Sequence, residues 1–190
     1  MSDLYTTGNQ FSGENFTKKS LPTGEYEYCT FTDCDFTKSD LGGSIFYECT
    51  FIRCQLTGVG LRKTALRDVT FSHCQLDSMH IEHCNDFLFS ARFDTCILDK
   101  SSFYKIKLKE TTFKKCSLQE VDFTGADLTG STFDDCNLKR SSFENTNLEK
   151  VDFSTAHNYA FDPEINRISN ARFSWPGVSG LLVKYGIVID

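Results

Sequence analysis

From Phe93 to Phe153 every fifth residue is Phe or Leu: Phe93, Leu98, Phe103, Leu108, Phe113, Leu118, Phe123, Leu128, Phe133, Leu138, Phe143, Leu148 and Phe153. Two residues before each stands a small or modest side chain, as in Ala91, Cys96, Ser101, Thr111, Val121 and Ala126. A period of five matches neither the 3.6 of a helix nor the 2.0 of a strand, so neither element keeps these residues on one face. A fixed period of this kind signals an internal repeat. Phe and Leu alternate, which doubles the period, and Cys96, Cys116 and Cys136 double it again to twenty. Four five-residue units per coil account for all three periods. The pattern therefore predicts a square coil whose residues twenty apart stack in columns ~4.8 Å apart, the spacing of neighbouring strands.

The same series starts earlier, at Phe11, and runs through Leu21, Phe31, Leu41, Phe51, Leu61 and Phe71 to Ile81. Its first units are poor, with Glu14 and Lys19 where small residues belong, so the opening coil is expected to be irregular. Phe71 and Phe93 are 22 apart, which places a two-residue insertion near 82–90. With that allowance four columns survive. One reads Phe11, Phe31, Phe51, Phe71, Phe93, Phe113, Phe133, Phe153; another reads Tyr26, Phe46, Leu66, Leu88, Leu108, Leu128, Leu148. After Phe153 the units blur over 154–170, predicting one distorted coil before Phe173 restores the phase. Residues 1–10 lack the pattern and are expected to form an N-terminal cap. The repeat body is assigned to 11–173, and 174–190 to a C-terminal helix and tail. Pro176 suits a first helical turn and Gly186 a C-terminal stop. Between them Val178, Leu181, Leu182 and Tyr185 fall on one face of an α-helix. An apolar helix at the end of a rod is either a lid or a dimer seam.

Composition narrows the chemistry. The 190 residues suit one domain. No 18-residue apolar run predicts a membrane span. The opening Met1-Ser2-Asp3-Leu4-Tyr5 carries no secretory signature, so a cytoplasmic chain is expected. Net charge is −6, which disfavours direct nucleic-acid binding. The charge is uneven: residues 1–60 carry 8 acids and 4 bases (−4), 61–115 carry 7 and 10 (+3), and 116–190 carry 11 and 6 (−5). Of nine cysteines, Cys34, Cys54, Cys74, Cys96, Cys116 and Cys136 form one column, and Cys29 and Cys49 a second. All fall at inward small positions, where Cys packs as a small hydrophobe. Parallel stacked thiols neither converge on a metal nor suit a disulfide torsion. His80, His83 and Cys84, with Cys74, could make a three-ligand site, but both histidines fall at outward positions. No phosphate loop and no nucleophile with a matched base is present, and a filled interior leaves no pocket, so neither an enzyme nor a cofactor is expected.

With these residues in view the chain resembles the pentapeptide-repeat family, whose fold is an all-β, right-handed quadrilateral β-helix. The segment Asn158–Ile168, then Ala171-Arg172-Phe173-Ser174-Trp175-Pro176, Leu181-Leu182 and Gly186-Ile187, resembles the C-terminal module of a subgroup. That subgroup contains the plasmid quinolone-resistance (Qnr-type) and albicidin-immunity proteins. The resemblance implies a homodimer joined through the C-terminal helix at Val178, Leu181, Leu182 and Tyr185. It also implies DNA gyrase or topoisomerase IV as partner, bound through an acidic surface that imitates DNA. Asp122, Asp127, Asp134, Asp135, Glu144, Glu149 and Asp152 are the candidates for that surface. The chain departs from the quinolone-resistance members in having no long loops projecting from the coils, only the two-residue insertion, which leaves the drug open. The alternative is a structural or scaffold repeat protein with another protein partner.

Overall fold

The computed structural model describes residues 4–87 and 89–188, and over them the chain winds as a right-handed square β-helix. On its first face nine short strands form one parallel sheet, from Gln10–Ser12 to Arg172–Phe173. Phe11↔Phe31, Phe51↔Phe71, Phe113↔Phe133 and Phe153↔Phe173 are in register there. The fourth face carries a four-stranded parallel sheet of Leu4–Thr7, Gly24–Glu27, Ile45–Tyr47 and Ala65–Arg67. The second and third faces are joined by single bridges such as Gln55↔Gln75 and Asp122↔Ser142. The strand at Leu4–Thr7 pairs with Gly24–Glu27 twenty residues on, so the coil begins inside the segment expected to be a separate cap.

The core is built by stacking. Phe93, Phe113 and Phe133 lie face to face at 5.1 and 5.0 Å, each pair within 4° of parallel. Phe123 meets Phe113 edge-on at 6.1 Å and 81°. Each ring thus takes an offset stack along its column and an edge contact across the coil, the two arrangements that aromatic quadrupoles favour. The column of Tyr26 holds as well, with Tyr26 stacked on Phe46 at 5.3 Å; its member Leu88 lies outside the described residues. The insertion is confined to 86–90, because Ala65↔Asn85 keeps the offset of 20 while Val69↔Ala91 has 22. Cys84, just before it, points inward and is buried. Over 154–170 the second and fourth faces keep their bridges, Asn137↔His157 and Asn147↔Arg167. Tyr159 and Phe161 fill the coil at tilted angles, 45° and 47° to Phe153.

Each corner imposes its own geometry. The residue two after the central Phe or Leu repeatedly takes a left-handed backbone, from Glu48 at φ 49° to Arg140 at 62°. Most L residues avoid this region, β-branched ones most of all. Asp, Asn, Lys, Glu and Arg dominate the non-glycine set, and Thr95 is its one β-branched member. At most corners the turn closes with an amide donating to the carbonyl three residues back, as Ser101 N to Leu98 O at 3.1 Å and Ala126 N to Phe123 O at 3.0 Å. The corner leaving the first face is different. There no such bond joins Cys54 to Phe51 or Cys116 to Phe113. Instead the thiol of the next coil donates to the Phe carbonyl: Cys54 Sγ to Phe31 O at 3.3 Å, Cys74 Sγ to Phe51 O at 3.3 Å, Cys136 Sγ to Phe113 O at 3.4 Å. The cysteine column is therefore a ladder of weak donors on carbonyls that lack a turn bond, not merely small packing groups. Ser101 donates in the same way elsewhere, to Leu76 O at 2.9 Å, whereas Thr146 gives Phe123 O a second donor, also at 2.9 Å, beside its turn bond.

Two expectations follow for thermal unfolding. Phe113→Ala should cost about 3–5 kcal/mol, because a stacked column cannot close the gap, whereas Lys114→Ala on the outer face should stay within ~0.5 kcal/mol. Cys116→Ser keeps a donor for the Phe93 carbonyl, which it serves at 3.5 Å. Cys116→Ala removes it and should be less stable than the serine variant by about 0.5–1.5 kcal/mol, the net worth of one such bond on a carbonyl that keeps its ladder amide. Equal melting temperatures for the two Cys116 variants would show that size alone sets this column.

Candidate functional site

The acidic residues singled out in the sequence do not gather on one face. Asp134, Asp135 and Asp152 border the first face, Asp122 and Glu144 the third, and Asp127 and Glu149 the fourth, following the registers of their neighbours. Three of the seven are ion-paired: Asp127 with Lys109 at 3.2 Å, Glu149 with Arg167 at 2.6 Å and Asp152 with Arg172 at 3.3 Å. Several act within the turns. The carboxylates of Asp122, Asp127 and Asp152 accept the amides of Thr124, Thr129 and Ser154 at 2.8, 3.2 and 2.8 Å. These are local side-chain-to-backbone bonds of the kind Asp makes in turns. Burial opposes the charge of Asp127, but the Thr129 hydroxyl and amide and Lys109 outweigh it, so its carboxyl lies below the usual range. Asp152 is lowered likewise: burial is outweighed by Ser154 and Arg172. Among the described residues Asp122, Asp134, Asp135 and Glu144 form no ion pair.

The C-terminal end departs from the expected α-helix. Residues Pro176–Leu181 and Val183–Tyr185 are two 3-10 turns, tighter than α and separated at Leu182. The reason lies in the fit to the last coil. A Cβ on Gly177 would lie 2.0 Å from the Tyr159 hydroxyl, and one on Gly180 would lie 2.1 Å from the Tyr159 carbonyl. Only bare backbone can approach this closely. The segment is clamped from outside by Lys184, whose Nζ lies 2.7 Å from both Asp162 and Glu164. Hydrogen bonding to Lys184 lowers both carboxyls, and they in turn raise the amine.

This changes the set of residues facing solvent. Of the four placed on a dimer seam, Leu181 packs against the core of the last coil, Val178 and Leu182 are half-buried, and Tyr185 donates its hydroxyl to Glu164 at 3.0 Å. The apolar groups left outward are Trp175 (91% exposed), Val183, Ile187 and Val188 (87%). A 3.6-residue period could not find them in a segment that winds at three per turn. Beside them opens a groove of about 740 Å³, lined by Lys139, His157, Tyr159, Ser174, Leu182 and Ile187 among others.

Elsewhere His80 and His83 point outward, stacked at 5.4 Å, and His80 pairs with Glu82 at 2.9 Å. Among the described residues no group of three His, Cys, Asp or Glu side chains is placed to hold a metal, and no helix is long and apolar enough to cross a membrane. The cysteines are free and buried, and burial pushes the Cys49 and Cys84 thiols up to about 12.

The profile of the pentapeptide repeat region matches residues 25–86 and 87–157, well over half of the chain. The chain belongs to the pentapeptide-repeat family. No curated protein matches this family member in sequence. Among solved structures it is similar to a trypsin-treated variant of QnrB1, a plasmid-mediated fluoroquinolone resistance protein. Identity is 17%, coverage is 98% of this chain and 100% of that one, and the TM-score is 0.64. It is also similar to full-length QnrB1, at 16% identity, 97% and 100% coverage and a TM-score of 0.58. At these identities the likeness is one of fold.

The fit of the terminal segment is open to test. Gly180→Ala should displace residues 174–188 and expose them to limited proteolysis, while Val183→Ala, which changes an exposed side chain, should leave them protected. Equal resistance of the two variants would mean that the close approach to Tyr159 does not hold the segment.

Proposed function

We propose that this pentapeptide-repeat protein binds a type II topoisomerase, DNA gyrase or topoisomerase IV, and confers resistance or immunity to a drug directed at it. The observation that carries the reading is the end-to-end likeness in shape, terminal segment included, to a fluoroquinolone resistance protein. In this reading two copies pair through their C-terminal ends. Trp175, Val183, Ile187 and Val188 supply apolar surface beyond the four residues first placed there, and the groove beside them receives side chains of the second copy. Each residue from 116 to 190 counted, the two ends bring −5 apiece. Burial of a few large apolar side chains at about 1.5–3 kcal/mol each outweighs that repulsion, which salt screens over about 8–10 Å.

Charge limits the imitation of DNA. Duplex DNA carries about 47 charges over ~80 Å, whereas a pair of these chains carries −12, twice −6. The field can be matched only locally. The unpaired carboxylates of Asp122, Asp134, Asp135 and Glu144 are the groups that would do so, on either side of the seam. The second reading, a scaffold protein for another partner, draws support from the spread of acids over three faces and the ion pairs at three of them.

A gyrase supercoiling assay with and without the protein, drug-free and with a quinolone or albicidin, separates the two. The topoisomerase reading expects micromolar protein to inhibit supercoiling or to raise the inhibitory drug concentration severalfold. It further expects Asp134→Asn with Asp135→Asn and Glu144→Gln to lose the effect. No response of the enzyme under any of these conditions would favour the scaffold.

A further inference from the structure

The insertion creates a second surface, opposite in character to the acidic ends. The bulge at 86–90 is pinned on both sides: Phe87 N donates to Asn85 Oδ1 at 3.0 Å, Ser90 N to Leu66 O at 3.0 Å, and Ser90 Oγ to Asp68 Oδ1 at 2.9 Å. What it presents is Phe87, 65% exposed, with the Arg67 guanidinium 6.0 Å from its ring centre. Arg67 forms no ion pair among the described residues, and its buried Nε has no hydrogen-bond partner. One coil toward the N-terminus Arg67 is in register with Tyr47, which meets Tyr28 edge-on at 5.8 Å. In the other direction Lys107 and Lys109 continue the same face, and of the two only Lys109 has a carboxylate, that of Asp127.

Phe87, Arg67 and Tyr47 with Lys107 and Lys109 thus line one face of the rod. Aromatic residues and Arg are the types enriched where protein interfaces concentrate their binding energy. The buried Arg67 Nε without a partner is costly, and Phe87 stands exposed in a fold whose column phenylalanines are buried or partly buried. From Tyr47 to Lys109 is about three coils, or ~14 Å, the reach of four or five extended residues. The flanking segments 1–60 and 116–190 carry −4 and −5, which repels a long polyanion laid along the rod and favours a short acidic stretch confined to the +3 middle.

We propose that the fourth face around Phe87 is a docking site for a short acidic segment of a partner protein, its carboxylates on Arg67, Lys107 and Lys109 and an apolar side chain against Phe87. The site does not depend on the topoisomerase reading and lies away from the C-terminal end that reading uses. The probe is a synthetic peptide of alternating Glu and Leu with one Trp, added to the full-length ¹⁵N-labelled protein. Amide shifts should move at Tyr47, Arg67, Phe87 and Lys107, shrink as salt is raised, and be absent with the Lys-for-Glu version of the peptide. Phe87→Ser and Lys107→Glu change exposed side chains, keep the melting temperature, and should each weaken binding about tenfold or more. Three results would overturn the proposal: no shifts at these residues, unchanged affinity in both variants, or tighter binding of an oligothymidylate to the same residues, which would make the face a nucleic-acid site.

Discussion

Everything in this molecule follows from the requirement that each coil satisfy the backbone of the next. A chain that turns every five residues cannot bond to itself as a helix does. Its amides and carbonyls must meet those one coil away, as Leu118 N meets Asn137 O at 2.8 Å and Asn137 N meets Cys116 O at 3.0 Å. That ladder fixes the pitch near the strand spacing, and the pitch forces identical side chains into contact: Phe on Phe, Cys on Cys. The aromatic columns are the consequence, and they return the stabilisation through ring contacts in two directions. Where the turn leaves a carbonyl without its own bond, a thiol or hydroxyl from the next coil fills it. The thiol adds a weak second bond to a carbonyl that the ladder already serves, which favours a donor over a plain methyl group in that column.

Much of this was legible in the chain. The columns, the offset of 22 at the insertion and the blurred coil over 154–170 all came from counting. The donor role of Cys34 through Cys136 did not, because Cys also reads as a small hydrophobe and only the missing turn bond distinguishes the two. The left-handed corner was equally hidden: Lys38, Glu110 and Arg140 share no chemistry, and what unites them is the absence of β-branching. The strand at Leu4–Thr7 escaped notice because its inward residue is Thr6, neither Phe nor Leu. The terminal segment misled for a different reason. Val178, Leu181, Leu182 and Tyr185 satisfy an α period, but the close approach of Gly177 and Gly180 to Tyr159 tightens the winding to 3-10 and turns other residues outward.

The same economy shapes the surface. Acids that look like a partner-binding face are partly engaged in holding turns and in pairing with the coil alongside, so the charge count overstates what a partner meets. Apolar side chains emerge at the C-terminal end, and cations with an exposed Phe occupy the middle. A regular scaffold makes such zoning simple, since any outward position can change without disturbing the columns. It also means that pentapeptide-repeat proteins can differ in these zones while keeping the same coils.

The central claim is that one register assigns every residue inside or outside along the whole rod. The nine thiols report on it without any mutation, since all are buried at inward positions while the coil is intact. The rate at which a small disulfide reagent modifies them in the native protein is the direct measurement. The account predicts that Cys34, Cys54, Cys74, Cys96, Cys116 and Cys136 react only as fast as the rod unfolds, and that all become reactive together in denaturant. Rapid modification of any one of these six in the native state would contradict it.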